Sequence, residues 1–352
     1  MNDRAKFQGL NCPLPFLNHD TVQLAHGAGG RLSAELIEKM ILPRFSSAEL
    51  DCLEDQAVLD LPPGRVAFST DTFVVDPIFF PGGDIGDLAV NGTVNDVAMS
   101  GAEPLVLSVG LVLEEGLPLA DLHRILCSME RAARAAGVRM VTGDTKVVGR
   151  GSCDRIFINT SGLGVIPAGV SLSASSLQPG DAVLVSGTLG DHGMAVMSRR
   201  EGLSFAADIR SDTAALNPLV RALLDGGAAV RALRDPTRGG LATTLNEFAA
   251  ASRVGIELNE DAIPVRDEVR GACEILGIDP LCVANEGKLV AVVAGRDAET
   301  ALATLLRHPL GSEARIIGRV LDTHPGLVVM RTALGAERIV DMPLGEQLPR
   351  IC

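Results

Sequence analysis

Between Thr21 and Pro167 the chain alternates short apolar runs with longer stretches of helical period, then breaks into a Ser/Pro/Gly-rich stretch at residues 168–180 before the alternation resumes. Strand-like runs at 66–69, 105–113, 139–141 and 156–159 are separated by helical runs near 87–99 and 120–136. An α/β (α+β) fold follows. The break favours turns and offers little apolar surface, so it reads as a linker. Beyond it, strands at 182–186, 289–293, 315–320 and 327–330 and helices near 194–201, 240–251 and 266–276 build a second domain. The resulting division is a leader at 1–20, an N-terminal domain at 21–167, the linker, a C-terminal domain at 181–335 and a flexible tail at 336–352 that ends in a thiol.

A chain of 352 residues, 47% hydrophobic, can bury a sizeable core and fits two domains. Its 44 acidic residues outnumber 31 Lys and Arg, and the formal charge of -13 repels nucleic acid and anionic membrane surfaces. Trp and Tyr are absent, so the stacking platforms of single-strand binders are mostly missing and an adenine pocket must use aliphatic side chains or Phe. The N-terminus lacks the apolar core of a secretory signal. The longest uncharged stretch, 156–180, is broken by Pro167 and Pro179 and does not read as a membrane span. A soluble, cytoplasmic protein is expected. Its seven cysteines have no paired spacing and suggest neither a disulfide nor a zinc framework.

Several segments could carry chemistry. His26-Gly27-Ala28-Gly29-Gly30 precedes an amphipathic helical run and leaves backbone N–H groups free for an anion, although a plain glycine-rich turn reads equally well. Asp55, Asp71, Asp96 and Asp144 each end an apolar run and are followed by small or polar residues. Any one of them suits a turn. Four in one domain, with Lys146 two residues after Asp144, favour hard oxygen ligation of Mg²⁺ carrying a nucleotide.

Two strand-to-helix junctions, 186–193 and 235–240, could also expose amides to phosphate, with Arg238 adding charge. Each suits a tight connection as well, and His192 reads as structural. Glu286, in Ala-Asn-Glu-Gly-Lys before an apolar strand, is either a desolvated general base or the partner of Lys288. Cys352 closes the chain, where a thiol on a mobile end can visit another protein and return, although a frayed end that happens to finish in Cys reads as well.

In this order the segments resemble the HypE family of hydrogenase maturation proteins, within the PurM or aminoimidazole ribonucleotide synthetase-like superfamily. The resemblance runs from about Thr21 to Cys352 and rests on 26–30, Ser-Thr-Asp at 69–71, 76–86, Asn-Asp-Val-Ala at 95–98, 141–148, Thr-Arg-Gly-Gly at 237–240, 284–289 and the terminal Pro-Arg-Ile-Cys. It implies a two-domain PurM-like fold whose N-terminal domains pair into a β-barrel in a homodimer. It further implies that a HypF-type carbamoyltransferase loads a carbamoyl group on Cys352, that ATP-dependent dehydration turns it into a thiocyanate, and that the cyanide passes to iron on a HypC–HypD-type scaffold for a [NiFe]-hydrogenase.

By the same resemblance Asp55, Asp71, Asp96 and Asp144 are the Mg-ATP acids, while Gly27, Gly29, Gly30 and Thr145 belong to the nucleotide site. Lys146 and Glu286 stand at the thiol as charge stabiliser and proton acceptor. Position 54 is Glu where many relatives carry Asp. Other readings are a different ATP-using synthetase or kinase of the superfamily, against which the terminal thiol argues, and a non-catalytic thiol carrier.

Overall fold

In the computed structural model, residues 19–54, 56–202, 208–343, 348 and 350–352 are described. The glycine-rich segment forms a 3₁₀ turn, Leu24–Gly27, followed by α1 (Arg31–Leu36), a π-helical turn (Ile37–Ile41) and α2 (Leu42–Phe45). Then come β1 (Arg65–Phe73), the short pair β2 (Phe79–Phe80) and β3 (Gly83–Asp84), α3 (Ile85–Met99), β4 (Glu103–Glu114), α4 (Leu119–Ala136), β5 (Arg139–Val148) and β6 (Ile156–Ile166).

The first sheet has the order β1-β6-β4-β5, with β4 and β5 parallel and the other neighbours antiparallel. β6 alternates buried and half-buried residues, the mark of a sheet packed on one face. That face, through Phe73, Leu107, Leu113 and Ile158, meets Ile85 and Leu88 of α3 and Leu122 and Ile125 of α4. The other face leaves Val66 and Phe68 exposed. α3 begins at a reciprocal cap. The Asp84 carboxylate accepts from the Gly86 and Asp87 amides at 2.8 and 3.3 Å, and Asp87 Oδ1 takes the Asp84 N–H at 2.8 Å.

After the irregular stretch that follows β6 come β7 (Ala182–Val185), α5 (Asp191–Arg200), α6 (Asn217–Asp225), β8 (Val230–Arg234), α7 (Gly240–Ser252) and β9 (Gly255–Asn259). The remaining elements are α8 (Asp267–Leu276), β10 (Val290–Val293), α9 (Ala298–Leu306), β11 (Arg315–Leu321), β12 (Val328–Arg331) and β13 (Glu337–Ile339). The sheet order is β13-β12-β9-β11-β7-β10-β8. β7 and β10 are buried throughout because both faces are covered: Val183, Val185, Val290 and Val292 pack with Leu241, Leu245 and Phe248 of α7, and Leu184, Ala291 and Val293 with Leu219, Leu223 and Leu305 of α6 and α9.

β13 lies within the stretch assigned to the tail and pairs with β12. Among the described residues no helix is long and apolar enough to cross a membrane.

Candidate active site

Four carboxyl groups from separate elements converge between the two sheets. Asp71 lies inside β1 and Asp96 inside α3, not at strand ends, because both elements run past the apolar stretches that signal them. Asp235 follows β8, and Glu286 precedes β10. The Asp96 carboxylate accepts from Ser69 Oγ at 2.7 Å. Burial raises the Asp71 pKa against the opposing pull of the Thr72 amide and Arg238. Burial also raises Asp96, with the Asp71 charge adding to it. Asp235, buried and facing the Asp96 charge, is pushed up to about 7.

Glu286 is 2% exposed, and burial, followed by the charges of Asp235, Asp212, Asp71 and Asp96, lifts its pKa well above the ordinary carboxyl value. Its backbone is fixed on both sides: the amide donates to Asp212 Oδ1 at 3.1 Å, and the carbonyl accepts from Asn95 Nδ2 at 3.2 Å. Among the described residues Glu286 Oε1 has no hydrogen-bond partner. Lys288 turns instead to Asp212, with Nζ 3.3 Å from Oδ2. The reading of Glu286 as the partner of Lys288 is therefore corrected, and the desolvated acid remains.

The end of the chain docks against this group. Cys352 O accepts from the Val74 amide at 3.0 Å, just beyond β1, and Ile351 is 4% exposed. Arg238 Nη2 lies 3.5 Å from Cys352 Sγ. Burial and then the Glu286 charge push the thiol pKa up to about 11 against the pull of Arg238. Docked, the group is a protonated thiol and a poor nucleophile. A cavity of about 710 Å³ opens beside it, lined in part by Arg238, Gly239, Thr243 and Cys352. Another, of about 630 Å³, reaches Asp96 and Asp235 past Ser69, Arg234, Thr237 and Phe248. The turn between β8 and α7 brings Arg238 this close because Gly240, at φ +61, passes where a Cβ would stand 2.5 Å from the Leu281 carbonyl oxygen.

The remaining expected site residues form a separate group. Gly27, Gly29, Asp144, Thr145 and Lys146 line a cavity of about 320 Å³ whose apolar wall includes Phe45 and Met140. A Cβ on Gly27 would lie 2.6 Å from the Val147 amide nitrogen, so only glycine lets this loop rest on β5. Gly30 caps α1, with open space around it. Lys146 Nζ is 2.7 Å from Asp144 Oδ2, and this pairing holds the Asp144 carboxyl below its ordinary value.

The register β1-β6-β4-β5 places Asp71 and Gly143 in one row at opposite edges of the sheet. Within one chain Asp144 is thus three strand spacings from Asp71, about 14 Å. The structure brings together Asp71, Asp96, Glu286 and Cys352, and leaves Asp144, Thr145 and Lys146 apart. Asp55 lies outside the described residues.

Asp235 and Asp212 carry no expectation from the sequence. Asp235 showed the same signal as the others, an acid closing an apolar run. Asp212 sits in a polar stretch without periodicity. Among the described residues no three His, Cys, Asp or Glu side chains are grouped to hold a metal by themselves. Asp71 and Asp96 nevertheless suit Mg²⁺, which takes one or two carboxylates and completes its shell with phosphate oxygens and water.

Families described as AIR synthase related protein match the chain twice, the N-terminal domain over residues 53–166 and the C-terminal domain over 178–330. With its mixed α/β architecture, the chain is thus an AIR synthase related, PurM-like protein. Carbamoyl dehydratase HypE of Azotobacter vinelandii is 55% identical over 336 residues, covering 96% of this chain and 98% of the relative. A crystal structure of the hydrogenase maturation protein HypE in complex with ATP superposes with a TM-score of 0.90 at 52% identity, covering 94% of this chain and 99% of that one. A HypE–HypF complex gives a TM-score of 0.77 at 50% identity, covering 89% of this chain and 100% of that one. The chain belongs to the HypE carbamoyl dehydratase family.

Proposed function

We propose that this protein uses ATP to dehydrate a carbamoyl group carried on its own Cys352 to a thiocyanate, the source of the cyanide ligand on the iron of a [NiFe]-hydrogenase. The observation that carries this reading is the placement of the chain's own terminal thiol against a buried carboxyl and an acidic group, with a guanidinium at the sulfur. The kinship to proteins named carbamoyl dehydratase, one of them solved with ATP, supports it.

In this reaction the amide oxygen of the S-carbamoyl group attacks the γ-phosphorus and ADP leaves. The two amide protons are removed, the C–O bond breaks, and phosphate departs to leave S–C≡N. Water is lost in the form of ADP and phosphate formation, which makes the step favourable. Glu286 is placed to take a proton, since a desolvated carboxylate is a stronger base than one in water. Arg238 is placed to stabilise charge on the transferring group. Bound Mg²⁺ would offset the phosphate charge, with Asp71 and Asp96, and by the family resemblance Asp55 and Asp144, as its ligands.

The high pKa of the docked thiol supports loading elsewhere, with the tail extended toward a carbamoyltransferase. A relative is solved as a HypE–HypF complex, and we assign a HypF-type protein as the donor. A HypC–HypD-type iron scaffold would receive the cyanide, in the cytoplasm. A homodimer would cover the open face of the first sheet, where Phe68 is 66% exposed, in the β-barrel the family resemblance implies. It also offers Lys146 a route to a thiol that its own chain holds about three strand spacings away. The segments 21–167 and 181–335 would be the two PurM-like domains.

The test is intact-mass spectrometry after incubation with a HypF-type partner, carbamoyl phosphate and ATP, comparing wild type with Cys352→Ala. A carbamoyl adduct on the wild type alone, losing the mass of one water when Mg-ATP is added, is expected. An adduct that stays intact with Mg-ATP overturns the dehydratase reading.

A further inference from the structure

His192 at the start of α5 is fully buried, yet the reaction as drawn does not use it. Both ring nitrogens are occupied. Nε2 lies 3.0 Å from the carbonyl oxygen of Ile351, and Nδ1 lies 2.8 Å from Ser211 Oγ. A carbonyl can only accept, so Nε2 carries the proton and Nδ1 accepts from the Ser211 hydroxyl. Phe80 closes the ring from its edge, with centroids 5.4 Å apart at 89°. The Ile351 carbonyl thus sets the tautomer, while Ser211 at Nδ1 and Phe80 at the ring edge hold the imidazole so that its donor points at the residue before the terminal cysteine.

The neighbouring tail contacts are of a different kind. Arg350 O and Cys352 O accept from the Asp76 and Val74 amides at 3.3 and 3.0 Å, an antiparallel pairing that leaves Ile351 pointing the other way. Arg200 Nη2 also reaches Arg350 O, at 2.7 Å. All three terminal carbonyls are therefore taken, and among the described residues the middle one is held by a side chain without a backbone donor beside it. When the tail leaves, the Val74 and Asp76 amides can turn to water. The His192 N–H gives up a buried hydrogen bond made by an oriented side chain, and losing that bond biases the tail inward.

We propose that His192 is the positioning residue that holds the C-terminal tail in its docked state, through Nε2–H to the Ile351 carbonyl. The proposal rests on the reading of Cys352 as the reacting group, but its test requires no turnover. The rate of Cys352 alkylation by iodoacetamide, resolved by peptide mass spectrometry without nucleotide or carbamoyl donor, reports how often the tail is out. His192→Phe keeps the ring volume and the Phe80 contact but has no donor. It should speed Cys352 alkylation about three- to tenfold, while the exposed Cys52 reacts at the wild-type rate.

His192→Gln, which can donate to the carbonyl through its amide, should recover much of the protection. Should His192→Phe alter Cys52 reactivity as well, Ser211→Ala decides: loss of the hydroxyl that holds Nδ1, and with it the ring's aim at the Ile351 carbonyl, should still speed Cys352 alkylation about twofold or more. Wild-type Cys352 rates in whichever variant leaves Cys52 unchanged would overturn the latch. Faster alkylation in a protein that fails the dehydration test would leave the latch standing and remove only the reaction assigned to the thiol.

Discussion

The Arg238 guanidinium stands 3.5 Å from the Cys352 sulfur across 114 residues of chain. It is also close enough to Asp71 to oppose the rise in that carboxyl's pKa, so it spans the terminal thiol and the acidic group. Arg238→Gln should slow loss of water from the carbamoyl adduct by about 10²–10³, the usual cost of losing one donor aimed at developing charge. Loading of Cys352 by the donor, proposed to take place with the tail outside, should be unchanged. Time-resolved intact mass separates the two steps, and equal slowing of both would mean that Arg238 acts on tail movement alone.

Glu286→Gln preserves shape and backbone contacts and removes only the ionisable carboxyl, the proposed proton acceptor. Dehydration should fall by about 10²–10⁴, with the carbamoyl form accumulating. A chain that merely presents its thiol to other proteins would tolerate Gln or Ala at this position without losing rate, so the same measurement separates the enzyme from the carrier.

Gly287 holds Glu286 in place by being small. A Cβ there would stand 1.8 Å from the Asp212 carbonyl oxygen, and Asp212 in turn receives the Glu286 amide. Gly287→Ala must push these segments apart. It should cost about 1–3 kcal/mol in denaturant unfolding and reduce dehydration more than nucleotide binding. Unchanged stability would show that the 286–288 loop gives way easily.

The parts of this architecture that were legible in the sequence are those with one strong period. β4, α4, α7 and α8 bury a stripe or a face, and their apolar spacing marks them within a few residues, while α3, buried on nearly every side, is marked by the length of its uncharged run. β8 and β9 are short and interrupted by Arg231 and Glu257, while α6 and α9 lie among small residues and glycines. Nothing local distinguishes β8 and β9 from loops, whereas α6 does carry a readable spacing, Leu219, Val220 and Leu223 behind Pro218 and ahead of Gly226. β5 outruns its apolar start at 139–141, because its later residues line the open cavity beneath the glycine loop.

The site was legible as residue types and illegible as a geometry. Asp71, Asp96, Glu286 and Cys352 could each be singled out, and the fold brings them together. Nothing local shows that Asp144 and Lys146 occupy the far edge of the same sheet, since strand order is not written in the apolar pattern. Asp235 does not stand out in the sequence because the junction that contains it reads first through its glycines and backbone amides.

The cap of α3 supplies a prediction free of the reaction. Asp87 is buried beside Asp84, and burial together with the Asp84 charge raises its pKa from the ordinary 3.8 to about 7. Below the unfolded value both folded and unfolded chains keep this proton, and the carboxyl has no effect on stability. As pH rises toward about 7 the unfolded chain ionises while the folded chain resists, so the folded state loses stability across that window. Asp87→Asn retains an Oδ1 to accept the Asp84 N–H now held at 2.8 Å, and it cannot ionise. Thermal unfolding of the variant should therefore match wild type near pH 4 and occur several degrees higher at pH 8, the gap opening between those values. A variant displaced by the same amount at both pH values would show that shape, and not the buried charge, governs this cap.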